Sequence, residues 1–201
     1  MPLQNRVTPF GELVAVPGRG LMMGNRGVLH DDARRIVRPW QVRRWIACVT
    51  EFRGRHREVM QPRRYTELFF LDEATALAAG HRACAECRSA DYKRFRDLWI
   101  SVHGEPADAD SMDRVLDVER RDGKQKRTHT AKVATLPDGT FVTSDGAAHL
   151  IWRGQFHTWS DTGYRKRRPL LSAGEVEVLT PPSLVALLRA GLPVAVHPTA
   201  A

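Results

Sequence analysis

The sequence predicts an α+β fold in two parts, an N-terminal unit over residues 1–104 and a β-rich unit over residues 105–201 that ends in a helix. Three observations carry this. Short β-branched and aromatic runs in the first half alternate with stretches of helical periodicity. In the second half the turn pairs Asp138-Gly139, Asp145-Gly146 and Arg153-Gly154 arrive every seven or eight residues, the spacing of a β-meander. Between two predicted helices stands a C-x-x-C pair, Cys84 and Cys87, with ligand spacing for a tetrahedral metal.

Taken in order, Gly11 to Val16 reads as a short strand, and the glycine-rich run from Pro17 to Gly27 as a loop. Its glycines match neither the dinucleotide fingerprint nor a P-loop, because no Gly-Lys-Ser/Thr follows. Trp45 to Phe52 and His56 to Met60 predict a hairpin turning at Arg53-Gly54-Arg55. Tyr65 to Phe70 is a further strand. Asp72 then caps a short helix to Ala79, stopped by Gly80. Ser89 is the expected cap of a longer helix in which Tyr92, Phe95, Leu98, Trp99 and Val102 share one face, and Gly104 ends it. The small, acidic stretch 104–111 is the expected connection between the halves. Ser111 to Arg121 predicts a third helix with Gly123 as its stop, Glu175 to Leu179 a last strand, and Pro181-Pro182 the start of a terminal helix ended by Gly191.

Charge is concentrated in the first half, where residues 1–100 hold 18 basic and 11 acidic side chains. From Arg34 to Arg64 there are ten arginines, no lysine, and only Glu51 and Glu58 in opposition. Arginine offers a planar fork for phosphate, so this run points to a polyanion, while a solvated surface is the plain alternative. Apolar residues at 42% and charged ones at 27% are near the globular average and argue against disorder. No apolar run approaches the roughly 20 residues of a membrane span. The opening residues lack the apolar core of a secretory leader, so a cytoplasmic location is expected. There, three cysteines do not make a disulfide framework, and metal ligation or packing must explain Cys48, Cys84 and Cys87. A redox C-x-x-C is expected just after a strand, whereas a helix and Gly80 precede this one.

The segment from Leu71 to Arg88, with an alanine-rich helix leading into Gly80-His-Arg-Ala-Cys84-Ala-Glu-Cys87, resembles the N-terminal zinc domain of the Ada methyl-phosphotriester DNA repair family. The strand from Tyr65 and the hairpin from Trp45 fit that domain's order, so the resemblance spans about residues 45–88. It implies a small zinc module lying on the DNA backbone, with Cys84 and Cys87 in the places of the last two ligands. The family's first two cysteines fall near His56 and Met60 here, so the methyl-accepting thiol has no counterpart. The remaining Zn²⁺ ligands are then Cys48 and, from Gly27-Val-Leu-His30-Asp31, the imidazole of His30, with His56 as the alternative.

The expected function is a zinc-binding, nucleic-acid-binding protein, DNA first, that presents Arg43, Arg44, Arg53, Arg55 and Arg57 to phosphate. Two other classes stay open. A metal-dependent hydrolase or nuclease would use an open coordination position to activate water, although no H-E-x-x-H, G-x-S-x-G or similar motif occurs. A zinc-stabilised scaffold for a protein partner would need the metal for folding alone. In the second half Trp152, Phe156, Trp159 and Tyr164 near Arg165 to Arg168 suit either base stacking or the ordinary core of a meander.

Overall fold

The computed structural model describes residues 1–54, 58–170 and 174–200. The first sheet is built from β1 (Arg6–Val7), β2 (Leu13–Val14), β3 (Met22–Asn25), β4 (Ile46–Cys48), β5 (Leu68–Phe70) and β6 (Arg82–Ala83), in the order β2-β1-β5-β3-β4-β6. It is mixed, with β1 parallel to β5 and β4 parallel to β6.

Two differences from the sequence expectation lie here. The glycine-rich run contains a strand, β3, because Gly24 lets two neighbours close in. A Cβ at Gly24 would fall 2.1 Å from the Ile46 carbonyl and 2.9 Å from the Phe70 ring. The expected hairpin from Trp45 to Met60 is replaced by β3 pairing antiparallel to β4. With β3 on one side of β4 and β6 on the other, both ladders of β4 are filled, and Glu58 to Met60 form no strand. Arg55, His56 and Arg57 lie outside the described residues.

Helix α1 (Glu73–Ala78) has the expected cap: the Asp72 carboxylate accepts the Thr75 N–H at 2.8 Å and its hydroxyl at 2.7 Å. Gly80 ends the helix at φ +88°, which a side chain would resist. Helix α2 (Ser89–His103) starts at Ser89 itself, after an Arg88 whose side chain caps nothing. Helix α3 (Ala109–Arg120) begins earlier than the periodicity indicates, because Asp108 accepts the N–H groups of Asp110 and Ser111. A small ribbon, β7 (Arg121–Asp122) and β8 (Gln125–Lys126), follows.

The second sheet comprises β9 (His129–Lys132), β10 (Phe141–Ser144), β11 (Ala147–Trp152), β12 (Gln155–Ser160), β13 (Gly163–Pro169) and β14 (Glu175–Val178). Strands β10 to β13 form the expected meander, while β14 returns beside β10 and carries β9 at its outer edge. The Asp145-Gly146 and Arg153-Gly154 turns have both residues at positive φ, the tight-hairpin geometry. Helix α4 (Pro182–Arg189) packs on the sheet and on α2 and α3.

Helix α1 is buried all round, and its alanines follow from that. Ala74 and Ala78 pack with Phe141, Leu150 and Tyr164 of the second sheet. Ala76 and Ala79 pack with Leu68 and Phe70 of the first, and Leu77 meets Phe95, Trp99 and Leu184. The apolar clusters thus run across residues 104/105. No described helix is long and apolar enough to cross a membrane.

Candidate metal centre

Strand β4 ends at Cys48 and strand β6 at Ala83, and their parallel register pairs Ala47 with Ala83. One residue further on, the ladder continues with the Cys84 N–H donating to the Ala47 carbonyl at 3.0 Å, so Cys48 and Cys84 emerge side by side. The chain then turns, and the Arg88 N–H donates to the Cys84 carbonyl at 3.2 Å before α2 begins. Arg88 itself is buried and ion-paired to Glu73 of α1 and Asp91 of α2, which clamps the turn from behind. Cys87 is thereby folded back toward the strand ends. The three sulfurs lie within 4.8 Å of one another, and they are the one such group of possible metal ligands among the described residues.

Their electrostatics suit a cation. The Cys84 thiol is depressed to about 5, chiefly by the hydrogen bond from Cys48, and the backbone N–H groups of Cys87 and Glu86 add to this against the cost of burial. Cys48 is pushed up, first by sharing its proton with Cys84 and then by burial. Burial raises Cys87, while the Val49 N–H works the other way. Amides aimed at sulfurs are the usual support of metal-bound thiolates. One negative charge is already favoured among the three sulfurs, and a divalent ion would displace the other two protons.

The fit to zinc rests on donor chemistry: three soft thiolates, converging, with amide support, select Zn²⁺ over hard cations. A cavity of about 450 Å³ borders the cluster, with Tyr65, Phe69, Val59 and the carboxylates of Glu67 and Glu86 among its walls. Sequence reasoning did not single out these carboxylates, although Glu86 stands between the two thiols of the C-x-x-C.

His30 does not join the cluster. Its Nε2 meets the Gln61 carbonyl at 3.1 Å and its Nδ1 the Thr66 hydroxyl at 2.6 Å. With the ring proton on Nε2, Nδ1 accepts from Thr66, and neither nitrogen retains a lone pair for a metal. His56 lies outside the described residues. The redox expectation also changes, because β6 does precede the C-x-x-C and α2 does follow it. The third thiol, hydrogen-bonded to Cys84, distinguishes this site from a bare redox pair.

The arginine run is a surface feature. Of its eight described members, Arg34 is half-buried and the rest are exposed. Arg43 and Arg44 line a cleft of about 510 Å³ together with Asp110, Asp113 and Arg114. Arg44 lies 3.6 Å from Asp110, and the guanidinium of Arg53 rests over the Phe52 ring. Arg55 and Arg57 belong to the residues not described. In the second sheet Tyr164 is buried, and Trp152 and Trp159 pack against the same apolar cluster, which favours core over stacking platform.

Comparisons of the chain with protein-family models, with curated proteins and with solved structures find no match.

Proposed function

We propose that this chain is a zinc protein in which Cys48, Cys84 and Cys87 hold the ion, and that its arginine-rich surface contacts nucleic acid, DNA in the first instance. The observation that carries the metal is the convergence of three cysteines from two strand ends and a turn within 4.8 Å. The ion would tie β4, β6 and the entry to α2 into one unit, which is folding free energy supplied by coordination. The nucleic-acid half of the proposal draws support from Arg43, Arg44 and Arg53, exposed on the segment that leads into and out of β4. It draws further support from the resemblance of the segment Leu71 to Arg88 to a DNA-repair zinc module, the hairpin from Trp45 not being formed. The test is elemental analysis of protein purified under reducing conditions, joined to a titration with duplex and single-stranded oligonucleotides at low salt.

The cavity beside the sulfurs favours a second reading, a metal-dependent hydrolase with Glu67 or Glu86 as general base. Three thiolates leave Zn²⁺ with a net charge of about −1, which weakens its acidifying effect on bound water relative to a site of neutral imidazoles. That argument ranks the structural zinc first. Hydrolysis of a model phosphodiester that survives in wild type and vanishes in Glu67→Gln or Glu86→Gln, with zinc retained, would reverse the ranking.

A further inference from the structure

The opposite end of the β4/β6 pair holds a second concentration of chemistry. Trp45 and His81 stand at the starts of these strands, and two buried arginines stack on Trp45. The Cζ of Arg26 lies 4.0 Å from its ring centre and that of Arg120 3.9 Å. Lys126, from β8, reaches in and donates to the Ala78 carbonyl at the end of α1. Arg120 donates to the Gly80 carbonyl at 3.0 Å and to the Asp117 carboxylate at 3.0 Å.

Capping the C-terminal carbonyls of α1 accounts for Arg120 and for the position of Lys126, but not for Arg26. Arg26 is 1% exposed and Lys126 half-buried, and no carboxylate among the described residues acts on either. Burial and neighbouring cations depress Arg26 to about 9 and Lys126 to about 7. Buried cations without a counter-charge are costly, and native proteins pair them. Hydrogen-bonding capacity is also left over. Arg26 Nε donates to His81 Nε2 at 3.2 Å, which puts the ring proton of His81 on Nδ1. That Nδ1, Arg26 Nη2 and Arg120 Nε are all buried with no partner among the described residues.

A cleft of about 600 Å³ lies directly above. Phe10, Gly11, Ile36, Pro39, Lys124 and Lys126 are among its walls, with Arg38 and one carboxylate residue, Glu12. Arg26 forms the layer beneath it: Nη1 donates to the Gly11 carbonyl at 2.9 Å and reaches that of Pro39 at 3.5 Å. A Cβ on Gly11 would meet Arg26 Nη2 at 3.7 Å and nothing else within 4 Å, so the guanidinium lies directly beneath the Gly11 backbone while staying shielded from solvent.

We propose that this cleft is an anion site that takes a phosphate group, with Lys126 in contact with the ion, Lys124 and Arg38 at the rim, and the charge of Arg26 acting from behind the Gly11 backbone through its field alone. Three cationic side chains of the wall, Lys124, Lys126 and Arg38, against the one carboxylate of Glu12 leave a positive balance that suits a doubly charged phosphate better than a singly charged carboxylate. The phosphate is either free or carried on a small organic body packed against Phe10, Ile36 and Pro39. The site shares no residue with the three thiols and stands or falls separately from the metal.

The test is a titration of the full-length protein with sodium phosphate at constant ionic strength. It is read by thermal melting and by the NMR resonances of the Trp45 indole N–H and the His81 ring. The expected result is a saturable shift of both resonances and a raised Tm, neither reproduced by sodium chloride. Phenyl phosphate binding about tenfold tighter than inorganic phosphate assigns the cleft to a phosphomonoester, and equal affinity assigns it to the free ion. Lys126→Met should weaken binding at least about tenfold, and Lys124→Gln, at an exposed rim position, by about two- to threefold. Resonances that drift without saturation and track sodium chloride overturn the proposal, as does Lys126→Met binding phosphate with wild-type affinity. Should Lys126→Met fail to fold, the wild-type titration and Lys124→Gln decide.

Discussion

The Tyr164 hydroxyl donates to Asp72 Oδ2 at 2.7 Å, joining residues 92 positions apart. Asp72 is 1% exposed and accepts three further hydrogen bonds, from the Thr75 N–H and hydroxyl and from the His197 N–H. The carboxylate that starts α1 is therefore also the anchor for the second sheet and for the C-terminal tail, which pairs with Glu73 through Ala195. Tyr164→Phe removes one charge-assisted bond and is expected to cost about 1.5–3 kcal/mol. Asp72→Ala should cost more, since it leaves the Tyr164 and His197 donors buried as well as removing the cap. Urea unfolding curves for the two variants check the order, and equal destabilisation would contradict it.

The alanines of α1 lie between two sheets and a helical layer, so added volume has nowhere to go. Ala78→Leu, facing Phe141 and Leu150, is expected to destabilise by about 1–3 kcal/mol despite leucine's good helix propensity. The same change at Val118, 61% exposed on α3, should be near neutral. A thermal melt of each variant distinguishes packing from propensity.

Lys126 gives the stability a pH dependence of definite sign. Arg26, Arg120, His81 and His129 surround it, and burial with Arg26 and Arg120 lowers its pKa from 10.5 to about 7. Between those values the unfolded chain binds the proton and the folded chain does not, so this group makes stability rise with pH across the window. Below the folded value the lysine is charged in both states and its burial cost is felt in full. Lys126→Met should flatten the curve between about pH 7 and pH 9.5 as measured by urea unfolding, and slopes parallel to wild type would refute the assignment.

Phosphate contact by the exposed arginines has its own signature. Oligonucleotide affinity should fall with salt, and replacing Arg43 and Arg44 together by Ser should lower the salt slope by roughly one per lost contact. Their removal leaves the fold intact, since Arg43 contributes only its backbone carbonyl to Arg120 and Arg44 only a surface ion pair. Absence of binding at low salt, or an unchanged slope, would remove nucleic acid from the account.

Local signals made some of this legible in the sequence. The Asp72 cap, the Gly80 stop, the face of α2 apart from the exposed Val102, and the Asp145-Gly146 and Arg153-Gly154 turns each depend on residues near in the chain, whereas Asp138-Gly139 joins no pair of neighbouring strands. Strand β3 did not show, because Met-Met-Gly-Asn has no strand character of its own and pairs only where Gly24 admits Ile46 and Phe70. The parallel meeting of β4 and β6, which brings Cys48 to Cys84, is set by tertiary packing between segments more than 30 residues apart in the chain. His30 drew attention as a histidine beside an aspartate, and only the positions of Thr66 and Gln61 show that its nitrogens are used. Composition counts Arg26, Arg82 and Arg120 as solvated charge, yet all three are 1% exposed and work inside the core.

The metal content of protein purified in reducing buffer, measured by mass spectrometry beside a thiol titration, tests the central claim. The account predicts about one zinc per chain, lost in Cys48→Ala, Cys84→Ala and Cys87→Ala and retained in His30→Ala. Metal-free protein that titrates three free thiols and melts at the same temperature with and without added zinc would contradict it.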